Sequence, residues 1–267
     1  MIVTLMKGTI TVGWKFHKRL VEITTHSIIL PNLPEQFNGY RIVQISDFHL
    51  GTWLGTHAIF EIVDLVNQQE PDLIAITGDF ISFNPPNFAP DLVSTLSKLS
   101  SKDGVYAVLG NHDHYTDATL IRNVLEECKI VELQNSVHGI RRDSSHIYFA
   151  GIDDFMTRHA DLRSVIAQIP NDENTVILLA HEPDFADISA ASGRFAMQIS
   201  GHSHGGQICL PLWGNLYLPQ LGRKYPSGRY LVQDMVLYTN RGLGTSWLKF
   251  RYNCPPEITV FQLCNKN

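Results

Sequence analysis

Apolar residues along this chain fall into short runs separated by polar or Gly-rich sequence. Five runs dominate, at residues 41–46, 73–77, 105–109, 176–180 and 195–200. Short apolar runs bounded by turn formers predict strands buried in a core. Between them the spacing changes to a helical period, which predicts helices over about residues 56–69, 88–99, 116–127 and 159–168, and the Ala-rich stretch after Pro183 adds another. Strand-like segments near residues 207–210, 229–239 and 256–263 predict a second sheet. The alternation is that of an α/β protein, and pattern alone leaves open both a doubly wound single sheet and a two-sheet sandwich.

At 267 residues and 44% hydrophobic, the chain can bury a substantial core within one domain. It holds no internal repeat or low-complexity tract, and Asn84–Pro90 reads as an active-site loop rather than a domain boundary. A net charge of −5 and a pI near 6.2 leave no electrostatic footprint for broad nucleic-acid binding, so nucleic acid is not an expected partner. Cys128, Cys209, Cys254 and Cys264 show no Cys-x-x-Cys spacing and read as buried free thiols of a reducing compartment. No stretch of about 18 consecutive apolar residues is present, so the sequence offers no candidate transmembrane helix. Met1–Trp14 is too short and is broken by Lys7, and Lys18-Arg19 leads into no signal-peptide pattern. The expectation is a cytoplasmic protein with peripheral membrane contact left open, residues 1–22 forming a membrane-proximal extension and residues 23–267 a single domain.

Each dominant run ends in residues suited to chemistry. Asp47-Phe48-His49 follows the first, Gly78-Asp79 the second, Gly110-Asn111-His112-Asp113 the third, His181 the fourth and Gly201-His202-Ser203-His204 the fifth. Ligand sites of open α/β sheets gather at strand ends, so the motifs predict one converging site. Singly they are weak: Asp and Gly at strand ends are ordinary turn chemistry, and a lone His after a strand is usually structural. His202 and His204 beside three glycines are poor material for a packed core, and the complete ordered set carries the reading. Imidazole, carboxylate and amide oxygen suit Mn²⁺, Zn²⁺ or Fe, while the lack of nearby thiolates argues against a zinc finger or an iron–sulfur cluster. With charge only on Asp47 and Asp79, two divalent ions would leave the site net positive and attractive to phosphate. Two ions roughly 3.5 to 4 Å apart lower the pKa of a shared water and stabilise both oxygens of an in-line displacement.

From about residue 20 to 264 the sequence closely resembles the calcineurin-like metallophosphoesterase family. The resemblance implies a four-layer α/β/β/α sandwich, two packed mixed β-sheets flanked by helices. It also implies two divalent cations, Mn²⁺ first and Zn²⁺ or Fe as alternatives. By that resemblance Asp47 and His49 hold the first metal with His204, Asp79 bridges, and Asn111, His181 and His202 hold the second. His112 is left uncoordinated, as general acid to the leaving oxygen or as stabiliser of the charged transition state, with Asp113 or Asp79 orienting it. A positioned acid is worth about 10² to 10⁴ in rate. The segments Ser200–Gln207, Leu218–Tyr225 and Asn253–Ile258 resemble a bacterial branch often membrane-anchored or exported. That branch includes cell-wall-associated phosphodiesterases and a UDP-2,3-diacylglucosamine pyrophosphatase of lipid A synthesis. Ser82 stands where many relatives have Asp, a departure beside the ligands rather than among them.

Weaker candidates surround the motifs. His114 adjoins the third motif and is a candidate to touch substrate. Arg158, Arg223, Lys224 and Arg229 either grip a phosphate or diphosphate or form a solvated surface. Trp53, Leu54, Phe83, Phe88, Trp213, Leu216, Tyr217 and Leu218 either pack within the fold or rim an opening suited to an acyl chain or membrane contact. His17, His26, His57, His138, His146 and His159 lie outside every motif and read as surface or satisfied polar groups. The leading expectation is a metal-dependent phosphodiesterase or pyrophosphohydrolase whose substrate is a small-molecule or lipid-linked phosphoester such as UDP-2,3-diacylglucosamine. The alternatives are a phosphomonoesterase, including a protein phosphatase, and a non-catalytic scaffold, against which the intact ligand set speaks.

Overall fold

The computed structural model describes all residues except 1, 7, 8, 17, 18, 53, 83–87, 173, 247 and 267, and for residues 2–20 within that range it describes the main chain. Trp53, Phe83, His17 and most of the expected Asn84–Pro90 loop lie outside the described residues. The strands run β1 (Ile2–Met6), β2 (Thr9–Phe16), β3 (Arg19–Leu30), β4 (Arg41–Ile45), β5 (Leu73–Thr77), β6 (Val105–Val108), β7 (Val131–Glu132) and β8 (Ser136–Arg142). They continue as β9 (Ser145–Gly151), β10 (Val176–Leu179), β11 (Met197–Ser200), β12 (Cys209–Leu210), β13 (Gly214–Asn215), β14 (Gly228–Val232), β15 (Met235–Thr239) and β16 (Glu257–Asn265). The helices are α1 (Thr56–Asn67), α2 (Ala89–Leu96), α3 (Asn111–Thr116), α4 (Ala118–Glu127), α5 (Leu162–Gln168) and α6 (Ala186–Ala191).

Among the described residues, two large mixed sheets form, ordered β1-β2-β3-β16-β4-β5-β6-β7 and β14-β15-β11-β10-β9-β8. Strands β4, β5 and β6 are parallel to one another, as are β9, β10, β11 and β15. The period of two in each strand shows which face meets which layer. On β5, Leu73 and Ala75 enter the core between the sheets, while Ile74 and Ile76 pack beneath α1, α2 and α4. On β10, Ile177 and Leu179 enter the same central core, while Val176 and Leu178 face α5 and α6. Burial on both faces is why these strands read as unbroken apolar runs. The layers are therefore helix, sheet, sheet, helix, the expected sandwich.

Several boundaries depart from expectation for local reasons. The helix expected at 116–127 forms as α4 but starts two residues later, because Asp117 caps it by accepting the Leu120 amide at 2.9 Å, and the short helix α3 precedes it. Asp161 likewise caps α5 through the Ser164 amide, so that helix starts later than 159. The segment near 256–263 does not join the second sheet. As β16 it lies in the first, parallel to β3 and antiparallel to β4, and β12 forms a separate small ribbon with β13. The β8–β9 hairpin was not expected, because β8 is a half-exposed, charged edge strand with weak alternation. Of the four free thiols only Cys254 is buried; the other three are half-buried. Among the described residues no helix is long and apolar enough to cross a membrane.

Candidate metal centre

The motif segments leave the C-terminal ends of neighbouring parallel strands. Asp47 and His49 follow β4, Asp79 follows β5, Asn111 opens α3 after β6, His181 follows β10, and His202 and His204 follow β11. Gln44 ties the two sheets together here, its Nε2 donating to Thr77 Oγ1 and to the Ser200 carbonyl, each at 2.9 Å. Asp47, His49, Asp79, His202 and His204 all have φ between 46° and 69°. L-residues rarely adopt that region, and when held there they concentrate at functional sites. Close approach between segments needs glycine: a Cβ at Gly110 would strike Asp79 Oδ1, and one at Gly201 would strike Asp47 Oδ2.

The seven residues expected as ligands are all buried and lie together. In one half, His49 Nε2 lies 2.9 Å from His204 Nε2, and Asp47 Oδ1 lies 3.4 Å from His204 Nε2. In the other, His181 Nε2 lies 3.2 Å from both Asp79 Oδ2 and His202 Nδ1. Asp79 Oδ2 is also 3.3 Å from His49 Nε2, so one carboxylate oxygen joins the halves. Asn111 Oδ1 is a buried acceptor with no hydrogen-bond partner. These residues fit a pair of divalent cations. Two nitrogens each about 2.0 to 2.1 Å from one ion at right angles are about 2.9 Å apart, and an unpaired amide oxygen is costly unless something positive binds it.

What stands behind each ring differs. His181 Nδ1 donates to the Thr77 carbonyl at 2.6 Å and His202 Nε2 donates to the Gln220 carbonyl at 2.8 Å, so each ring is oriented by a group that can only accept. Behind His49 Nδ1 is the Ser82 hydroxyl at 2.6 Å, and Ser82 Oγ also lies 3.4 Å from His112 Nδ1. Behind His204 Nδ1 is Arg251 Nη2 at 3.1 Å. A guanidinium can only donate, so Nδ1 accepts and the neutral His204 ring carries its proton on Nε2, directed at His49. Arg251 also binds the carbonyls of Arg241, Gly242 and Gly244, fixing the loop packed against Asp47.

Burial dominates the electrostatics. It pushes Asp47 up to about 7 against the pull of His181, with Asp79 adding to the rise. It would raise Asp79 too, but His181, His112 and His49 together hold that carboxyl well below its ordinary value. Burial depresses His49 to about 3 and His202 to about 4, and it drives His204 well below the ordinary imidazole value. His181 is the exception: burial opposes its charge, yet Asp79 and then Asp47 hold it well above the usual range. Burial thus favours neutral rings at His49, His202 and His204 beside an Asp79–His181 ion pair.

The structure brings His112 to the rim of this cluster, its ring edge-on to His49 with centroids 4.7 Å apart. The orienting contact expected of Asp113 is absent. Its carboxylate instead accepts the backbone amides of Asp79, Phe80, Ile81 and Gly110 between 2.8 and 3.2 Å, clamping the β5 loop to the start of α3. Asp79 reaches His112 through the main chain, Oδ1 accepting its amide at 2.9 Å. Burial and Asp154 hold Glu182 well above the usual carboxylate range, and its oxygens accept the Phe155 and Met156 amides. Arg251 and Glu182 carry no motif of their own; only the departure at Ser82 was visible in sequence.

A cleft of about 290 Å³ opens above the centre, lined by Asp79, His112, Met156, His202, His204, Tyr217 and Gln220 among others. Arg158 lines an adjoining hollow that shares Met156 and Gln220. The other substrate candidates are placed elsewhere. His114 is bound to Asp153 at 2.7 Å and stacked on His159, Lys224 is paired with Asp187 at 2.8 Å, and Arg223 is held by Asp184 through its amide. Arg229 is exposed on edge strand β14, opposite Tyr238. Of the apolar rim, Leu54 and Phe88 pack into the core, whereas Trp213, Leu216 and Tyr217 are exposed.

A family model described as calcineurin-like phosphoesterase matches residues 40–206. The chain is 33% identical to the uncharacterized metallophosphoesterase YkuE of Bacillus subtilis, over 98% of this chain and 94% of that protein. It is 27% identical to the phosphodiesterase YaeI of Escherichia coli, over 84% of this chain and 82% of YaeI. Among solved structures, the sulfate thiohydrolase SoxB of Thermus thermophilus shares the fold with a TM-score of 0.51 at 11% identity, covering 87% of this chain and 58% of SoxB.

Proposed function

The chain belongs to the calcineurin-like phosphoesterase family of metal-dependent hydrolases, and from that premise we propose that it cleaves phosphodiester bonds. The observation that carries the proposal is the convergence of two imidazole–carboxylate groups on Asp79, with the unpaired Asn111 Oδ1 beside them. Asp47, His49 and His204 would hold one cation, and Asn111, His181 and His202 the other, with Asp79 shared. Such a pair supplies Lewis acidity and a water acidic enough to attack at neutral pH. His112 at the rim delivers a proton to the leaving oxygen, and Asp79 sets its main chain through the 2.9 Å amide contact. Asp113 keeps the β5 loop and α3 in register and so places Asp79 against His112.

Two observations favour a diester over a monoester. No Lys or Arg is among the described residues lining the cleft, so the second charge of a monoester would meet no fixed cation from the chain. YaeI, similar over most of its length, is named a phosphodiesterase. Arg158 in the adjoining hollow is the candidate to hold the second phosphate of a diphosphate such as UDP-2,3-diacylglucosamine. Mn²⁺ is the first choice of metal, with Zn²⁺ or Fe next.

The test compares bis-p-nitrophenyl phosphate with p-nitrophenyl phosphate on metal-stripped protein reconstituted with Mn²⁺, Zn²⁺ or Fe²⁺, with UDP-2,3-diacylglucosamine alongside. Preference for the diester or the UDP-lipid supports the proposal. Preference for the monoester replaces it with a phosphatase, and two bound metals with no turnover on any of the three point to a scaffold.

A further inference from the structure

The ribbon beyond the last ligand motif inverts the usual placement of apolar residues. At its tip Leu212 is fully exposed and Trp213 is 87% exposed. The Trp213 amide donates to the Leu210 carbonyl at 3.2 Å, closing a turn with Pro211 second and Leu212 third, at a φ of 68°. That third position ordinarily takes Gly or Asn, so Leu212 bears both a backbone cost and the cost of exposing an apolar side chain. A second segment continues the surface: Leu248, Phe250 and Tyr252 are exposed, and the last two rings stack at 6.4 Å. The segments are one unit, because Gln207 Nε2 donates to the Leu248 and Phe250 carbonyls at 2.6 and 2.8 Å, and the Cys209 amide donates to the Tyr252 carbonyl at 2.9 Å.

We propose that this apolar lip, tipped by Leu212 and Trp213 and flanked by Lys249, docks the protein on an anionic lipid bilayer. Charge distribution selects that occupant. The chain is acidic overall, yet residues 207–220 and 244–256, the two stretches that carry the lip, hold Lys249 and Arg251 and no Asp or Glu. Lys249 is exposed between Leu248 and Phe250, where its stem can lie along acyl chains while its ammonium reaches phosphate. A convex turn tip bearing Leu and Trp gives a folded partner little concave surface to fill, whereas the bilayer interface accepts it, and Trp favours that depth. Anionic leaflets attract such juxtaposed cations over a Debye length. The lip borders the cleft through Tyr217 and Ser246, so docking turns the mouth toward the headgroup layer. That last consequence rests on the phosphodiesterase reading; the docking does not.

The experiment is cosedimentation of metal-stripped, full-length protein with vesicles of phosphatidylcholine alone or with one third phosphatidylglycerol, at low and high salt. No turnover is involved, so failure of the hydrolytic reading leaves the result intact. The expected result is binding to the anionic vesicles that weakens with salt, and a partition coefficient at least about tenfold lower for the Leu212→Ser/Trp213→Ser double variant. Lys249→Glu should weaken binding several-fold on anionic vesicles only. An unchanged thermal midpoint of the double variant shows that its loss is not unfolding; if it does unfold, Lys249→Glu decides. Absence of vesicle binding overturns the proposal, as does equal binding by both lip variants. So does dimerisation abolished by the double variant without vesicle binding, which would make the lip a contact between copies.

Discussion

Each half of the candidate metal centre has two histidines, beside Asp47 in one and Asn111 in the other, and the rings differ in what holds them from behind. His181 and His202 back onto carbonyl oxygens, which can only accept. His49 and His204 back onto the Ser82 hydroxyl and the Arg251 guanidinium. In the first case the ring is set with a nitrogen aimed inward, and a cation has only to displace the proton on His181. In the second, the guanidinium forces the His204 proton onto the inward nitrogen. A cation there must move that proton to Nδ1 and open the 3.1 Å contact with Arg251. Histidine pairs matched in kind can therefore be unequal in readiness, and the His181 half should fill first.

The largest expected effect removes the group that both halves share. Asp79→Asn should empty both halves and abolish turnover, since one charge serves two cations; elemental analysis showing full metal content would refute the bridging role. Next in size, His112→Ala should keep both metals while slowing the chemical step by about 10² to 10⁴. The loss should grow as the leaving group becomes poorer, and equal losses for good and poor leaving groups would rule out proton donation.

Ser82→Ala sharpens the comparison directly. It strands the His49 Nδ1 proton in a buried site, so stepwise metal titration should show about 10- to 100-fold weaker binding in one half only. Equal weakening of both would mean the halves are not independently held. The smallest effect is in pH. Burial lifts the Asp47 carboxyl to about 7, so below that pH the carboxyl keeps a proton that a cation must displace. Uptake by the His49 half should therefore weaken about tenfold per pH unit below 7 and level off above it. Proton release by the His181 half should persist above 7, because Asp79 and Asp47 hold His181 well above the ordinary range. Calorimetry in buffers of different ionisation enthalpy separates the two, and one shared profile would dissolve the distinction.

Much of this architecture was legible along the chain. Strands β4, β5, β6, β10 and β11 announced themselves because burial on both faces makes a strand uniformly apolar, and every expected ligand lies just past one of them. Asp113 was legible as part of a motif but not in its role: four backbone amides lie within its reach, three of them contributed by the β5 loop more than thirty residues earlier. Elements with weak local signals escaped notice. The six-residue helix α3 carries mostly polar side chains, and β8 is a charged edge.

By itself the sequence determined the alternation of strands and helices, the strand ends and the kinds of ligand, because periodicity and turn chemistry are local properties of the backbone, whereas the order of the layers was implied only by the family resemblance. Tertiary structure alone decided that β16 closes the first sheet, that Ser82 and Arg251 stand behind one pair of rings and carbonyls behind the other, and that Leu212 and Trp213 face outward. Those choices depend on contacts between residues far apart in the chain, as when Thr77 meets His181 and His49 meets His204. No local pattern records which distant donor or acceptor a buried ring will find.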